Sequence, residues 1–86
     1  VQMQLSGDER FVYAALRDKF MAWDVPTQDI VREYEWTEIA GLQQPFELRG
    51  AAITRDGAFV ALMTERRVYV VDHESMSVVR TFRMFG

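Results

Sequence analysis

One histidine, thirteen carboxylates and no cysteine bound the chemistry this sequence can hold. A metal centre needs several ligands at compatible spacing, and a nucleophile–base pair needs a Ser or Cys within reach. Neither pattern is visible around His73, which is expected to be an exposed turn residue. Glu33, Glu35 and Glu38 form a small acidic cluster whose spacing suits a solvated strand better than a cation site. Asp24 and Asp72 recur at equivalent places in the chain, as structural acceptors for the turn that follows them would. The glycines are Gly7, Gly41, Gly50, Gly57 and Gly86, too far apart to cradle a phosphate. The expectation is therefore of no catalytic residue, no metal and no cofactor, and of a chain that is not an enzyme.

Composition narrows the classes further. The absence of cysteine removes disulfide frameworks, Cys-type zinc sites and thiol catalysis, and it fits a reducing compartment. With no recognisable signal segment, the expected location is intracellular, in the cytoplasm. A sequence opening at Val1 is expected to be a piece of a longer polypeptide. The longest apolar run, Phe11–Leu16, is six residues, against the roughly 20 that a spanning helix needs. With 49% hydrophobic residues the chain is not a disordered tail. A net charge of −3 argues against a nucleic-acid module. Neither a membrane nor a nucleic acid is expected as a partner. Residues 1–43 carry eight acids and four bases, and residues 44–86 five acids and six bases, so the halves stand at −4 and +1. Nine of the ten bases are arginine, which suits bidentate pairing and stacking on the eleven aromatic rings.

The elements that must position these residues emerge from an internal repeat. Displaced by 48 residues, Asp8 falls on Asp56, Phe11 on Phe59, Val12 on Val60, Asp24 on Asp72, Val31 on Val79 and Arg32 on Arg80. Conservative matches fill the intervals without a gap from Met3 to Tyr34. The repeat resolves an ambiguity. Asp8–Trp23 alone could be a helix, but its counterpart contains Arg67-Val68-Tyr69-Val70-Val71, whose β-branched and aromatic residues favour a strand. Both copies are therefore read as strands.

Each unit then holds four strands: Met3–Leu5, Phe11–Leu16, Phe20–Asp24 and Ile30–Trp36, followed by Ala51–Ile53, Phe59–Met63, Val68–Asp72 and Val78–Arg83. The short connections carry turn chemistry, as in Ser6-Gly7-Asp8-Glu9 and Thr54-Arg55-Asp56-Gly57, and imply antiparallel meanders. Strand character grades from small (Ala51, Ala52) through wholly apolar (Val68–Val71) to charged (Arg32, Glu33, Glu35; Arg80, Arg83). That gradient fits a radial blade, crowded at its axis and wet at its rim. Residues 1–36 and 51–86 are read as blades and 37–50 as their connection. Leu42, Pro45, Phe46 and Leu48 make that connection too apolar for a free linker.

These units resemble blades of the WD-repeat β-propeller family. Ser6-Gly7-Asp8-Glu9-Arg10-Phe11 and Thr54-Arg55-Asp56-Gly57-Ala58-Phe59 look like the family's turn before the second strand. Trp23-Asp24 is the dipeptide that names the family, and its counterpart Val71-Asp72 keeps only the Asp. Arg49-Gly50 has the glycine but not the histidine that often precedes the first strand, so the family's buried Asp–His–Ser/Thr–Trp network is incomplete in the second unit. The second unit is also similar to the bacterial YVTN-type propeller repeat, which implies the same all-β blade.

The resemblance implies a non-catalytic protein-interaction scaffold, with other blades or other protein chains as partners. Two alternatives stay open. One is a piece of a propeller enzyme whose cofactor is held by other blades. The other is a two-blade subunit that self-assembles, three copies making six blades or four making eight, within the ~4–8 usual for propellers. In such folds the inter-blade loop shares a face with the hairpins between second and third strands. Arg17, Lys19, Arg66, Arg67 and Phe46 are thus the candidate partner-binding residues. Two blades alone bury one interface and leave two apolar faces open, so the chain is expected to be completed by further sequence or by other chains.

Overall fold

The computed structural model describes residues 2–44 and 46–83; Val1, Pro45 and residues 84–86, which the boundaries above take in, lie outside them. Eight strands run in order: β1 Gln2–Leu5, β2 Phe11–Ala15, β3 Lys19–Asp24, β4 Ile30–Glu35, β5 Gly50–Ile53, β6 Phe59–Met63, β7 Arg67–Asp72 and β8 Ser77–Arg83. They form two four-stranded antiparallel sheets, β1-β2-β3-β4 and β5-β6-β7-β8. The fold is all-β, with one 3₁₀ turn at Trp36–Glu38. Seven expected strand ends shift by one residue: β1, β3, β5, β7 and β8 each start one residue earlier, and β2 and β4 each end one residue earlier. Leu16 lies beyond β2, its amide closing the hairpin onto the Lys19 carbonyl at 2.8 Å. Trp36 leaves β4 for the 3₁₀ turn because its indole Nε1 donates to the Leu16 carbonyl at 2.9 Å, which turns the chain over the hairpin.

The 48-residue period is exact in register. Val12 pairs with Trp23 as Val60 pairs with Val71, and Phe20 pairs with Tyr34 as Val68 pairs with Phe82. The outer pair of each sheet slips at the same step, between Ala22 and Trp23 and between Val70 and Val71. The turns match atom for atom. The Ser6 hydroxyl donates to Asp8 Oδ1 at 2.6 Å and accepts from the Phe11 amide at 2.9 Å. The Thr54 hydroxyl does the same with Asp56 at 2.7 Å and Phe59 at 3.1 Å. The Ser6 hydroxyl holds the Asp8 carboxyl below the usual carboxylate range, and the Ala58 amide, at 3.0 Å, together with the Thr54 hydroxyl does the same for Asp56.

Both turns need a left-handed residue at the same position, Glu9 at φ 62° and Gly57 at φ 72°. The second site is glycine for two reasons. Its φ disfavours a side chain, and a Cβ there would sit 2.6 Å from Tyr13 Cζ of the first sheet. Gly57→Ala should therefore cost about 1–2 kcal/mol in backbone strain, more if the Tyr13 ring cannot swing aside. Glu9→Gly should gain about 0.5–1 kcal/mol, the strain relief less the added chain entropy of glycine. Urea unfolding of the two variants checks the opposite signs.

One apolar core lies between the sheets. Ala15, Phe20, Ala22 and Tyr34 of the first meet Ile53, Val60, Leu62, Tyr69 and Val71 of the second. The sheets approach along β1 and β5, their innermost strands, and the Gly7 amide bonds the Arg55 carbonyl across the gap at 3.1 Å. Ile39 and Leu42 of the connection complete the core, with Phe46 and Leu48 packed on its edge.

Candidate interaction surface

The two ends of the sheets are built differently. At one end lie the β1–β2, β3–β4, β5–β6 and β7–β8 turns. At the other lie the β2–β3 and β6–β7 hairpins together with the connection. On the turn side, Asp24 is held by Thr27 Oγ1 at 2.7 Å and by Arg10 Nε at 3.1 Å, contacts that lower its carboxyl pKa. Asp72 caps the equivalent turn by accepting from the Glu74 amide at 2.9 Å. The recurring aspartates are thus turn acceptors, as expected. Arg10 also lies 5.3 Å over the Phe11 ring, the stacking expected of arginine.

His73 corrects the sequence reading. It is 5% exposed, not a surface turn residue. Its ring packs edge-on against Phe20 at 4.4 Å and Tyr34 at 5.5 Å, both on the opposite sheet. Nδ1 lies 2.6 Å from the Gly57 carbonyl, which can only accept, so Nδ1 carries the proton. Nε2 is then the bare nitrogen, buried without a hydrogen-bond partner among the described residues. Burial lowers the His73 pKa against the opposing pull of the Gly57 bond. The twin of His73 is Val25, which is exposed because no sheet stands beside it. The sequence carried no signal for this burial, because the partner that covers His73 stands on the other sheet.

The hairpin end gathers the candidate partner-binding residues. Trp36 ties the connection to the first hairpin through Leu16 and through an amide bond to the Asp18 carbonyl at 3.2 Å. Ala40 then bridges to β8, bonding the Met76 carbonyl at 3.0 Å and the Val78 amide at 2.8 Å. Beyond it, the connection and the β6–β7 hairpin enclose an open cleft of about 350 Å³ lined by Gln43, Glu47, Thr64, Arg66, Arg67 and Tyr69. Phe46 is half-buried between Trp36 at 6.1 Å and Tyr69 at 6.3 Å. Arg67 donates to Gln43 Oε1, which joins connection and hairpin. Lys19 pairs with Glu33 at 2.8 Å, a contact that raises its pKa. Glu33 is thereby part of an exposed ion pair, and Glu38 Oε2 accepts from the Glu35 amide at 2.8 Å. Arg17 and Arg66 are exposed, with no hydrogen bond or ion pair to another described residue. Among the described residues, no group of three or more His, Asp or Glu side chains could hold a metal. No helix there is long and apolar enough to cross a membrane.

No protein-family model matches the chain, and no curated protein does. Solved structures do. The WD40 domain of SCAP from fission yeast superposes over 100% of this chain and 20% of its own, with a TM-score of 0.62 and 16% identity. The RRP9 WD40 repeats superpose over 93% of this chain and 24% of their own, with a TM-score of 0.63 and 16% identity. The two sheets have the fold of WD40-type propeller blades. The likeness is one of fold, and the chain spans a fifth to a quarter of the length of these structures. The Kuenenia stuttgartiensis hydrazine synthase has the same kind of similarity, with a TM-score of 0.58 and 19% identity over 92% of this chain and 21% of its own. In the propeller frame, β1 and β5 are the inner strands of the two blades, β4 and β8 the outer ones, and His73 is a side chain of the second blade plugged into the first.

Proposed function

We propose that this chain is a protein-interaction scaffold, two blades within a larger propeller, with residues 37–50 as the inter-blade connection. The observation that carries this reading is the hairpin end. There Arg17 and Arg66 stand free in solvent on two rigid hairpins, while Lys19, Arg67 and Phe46 are held beside them by contacts to Glu33, Gln43 and Trp36. Exposed, unpaired guanidinium groups beside side chains that are already held in place suit recognition of carboxylates in a partner protein. The scaffold reading is also supported by the packing role of the one histidine, which is wedged against Phe20 and Tyr34 of the neighbouring sheet.

The test is affinity capture on the intact protein, wild type against the Arg17→Glu, Arg66→Glu double variant. Both substitutions are on exposed tips, so the fold should survive, as circular dichroism would verify. Wild type should retain a partner that the double variant binds at least about tenfold more weakly. Equal recovery by both would remove the hairpin end from the interface. No partner at all, together with measurable turnover, would overturn the scaffold reading in favour of an enzyme.

A further inference from the structure

The contact between the two blades has a second half that the chain leaves open. In the formed contact, Tyr13 lies over Gly57, His73 plugs between Phe20 and Tyr34, and Arg32 Nη1 reaches the His73 carbonyl at 3.4 Å. The 48-residue period places the twins of each partner on the two outer faces. On the second blade, Ala61 stands where Tyr13 does, Val68 where Phe20 does, Arg80 where Arg32 does and Phe82 where Tyr34 does. On the first blade, Glu9 stands where Gly57 does, Val25 where His73 does, Leu5 where Ile53 does and Ile30 where Val78 does.

These twins account for much of the apolar surface in water. Leu5 is 44% exposed, Val25 43%, Ile30 51% and Phe82 54%, whereas Ile53, His73 and Tyr34 are 9%, 5% and 5% exposed in the formed contact. Sizes reverse between the two halves in a complementary way. The large Tyr13 meets a glycine that has no room for a Cβ, and the small Ala61 would meet Glu9, which has one. Arg80 keeps the cation that would reach the carbonyl of residue 25. The outer face of the first blade belongs to the half with charge −4, and that of the second to the half with charge +1.

We propose that the outer face of the second blade binds the outer face of the first blade on another copy of this chain, repeating the internal contact head to tail. The association is heterologous and closes into a ring. At ~4–8 blades per propeller, six or eight blades need three or four copies. The proposal rests on the propeller reading but not on recruitment through Arg17 and Arg66. A monomeric chain that still captured its partner would overturn this inference and leave that one standing.

Sedimentation velocity on the purified chain across a concentration series tests it. The expected species has three or four times the 10.0 kDa mass of the chain. Ala61→Tyr should return the chain to monomer by driving a ring into Glu9, and Glu9→Gly in the same chain should restore the assembly by recreating the Tyr13–Gly57 pair. Phe82→Glu, on an exposed position remote from the internal core, should also give monomer and covers the case in which Ala61→Tyr does not fold. A wild-type monomer at every concentration overturns the proposal. So does an assembly that survives Phe82→Glu, or a folded Ala61→Tyr monomer that Glu9→Gly fails to rescue.

Discussion

Phe20→Ala should remove about 3–5 kcal/mol of stability, a large share of the roughly 5–15 kcal/mol that holds a domain together. Phe20 is fully buried, and its ring is the hub of the aromatic cluster. It lies 4.4 Å from His73, 5.3 Å from Tyr34, 6.3 Å from Tyr13 and 6.4 Å from Trp36. Three of those neighbours belong to the first blade or its 3₁₀ turn, and His73 to the second. The deletion therefore loosens both the blade and its seat against the next. Phe20→Leu, which keeps most of the volume, should cost less than half as much. Urea unfolding followed by tryptophan fluorescence reads both variants, since Trp36 packs on the same ring. A loss below about 1 kcal/mol for Phe20→Ala would mean that the blades do not close over this side chain.

Acid should weaken the contact between the blades through His73. Its folded pKa is lowered from 6.5, first by burial, with Arg32 adding to the shift and the Gly57 bond and Asp72 opposing it. The sign follows from linkage. Between the folded value and 6.5 the unfolded chain binds the extra proton and the folded chain does not, so stability rises with pH in that window. The contribution is complete above 6.5 and is lost as pH falls toward the folded value. The physical cause is Nε2, the nitrogen that must take the proton and that has no partner among the described residues in its buried place. His73→Leu should abolish this dependence while costing about 1–3 kcal/mol at neutral pH, because the Gly57 carbonyl loses its donor. A second, lower window remains in both proteins. Asp8, Asp24 and Asp56 have folded pKa values below 3.8, so the stability they add is fully present above 3.8 and is lost as pH falls from there through their folded values. Unfolding midpoints measured from pH 8 to pH 3 separate the two windows. A wild-type curve that is flat between pH 7 and 5 would contradict the burial of His73.

The blades were legible because turn chemistry repeats with them. Ser6-Asp8 and Thr54-Asp56 each fix a hydroxyl–carboxylate pair that only one turn geometry satisfies. Strand ends follow from those turns to within a residue or so, and the apolar connection was readable from Leu42, Phe46 and Leu48. His73 was not legible, and the reason is physical. A repeat specifies what each unit is but not what stands beside it, and Val25, the twin of His73, has no neighbour from which burial could be inferred. Trp36 was misplaced for a related reason. Strand propensity favours continuing β4, and the indole bond to Leu16 that ends it joins residues 20 apart. Within the candidate surface, the cations were foreseeable from the hairpin tips. Phe46 was foreseeable only as an apolar residue of the connection; its wedge between Trp36 and Tyr69 comes from tertiary packing.

The bridge from Ala40 to β8 has a consequence for the order in which the chain is made. Ala40 bonds groups on Met76 and Val78, so the strap over the blade contact cannot close until nearly the whole second unit has been synthesised. At ~5–20 residues per second, the 37 residues from Ala40 to Ser77 take about 2–7 s. For most of that interval the nascent first blade presents Phe20 and Tyr34 without the His73 ring that packs on them. The Gly57 turn, which meets Tyr13, and then the His73 turn are made after these rings and close over them.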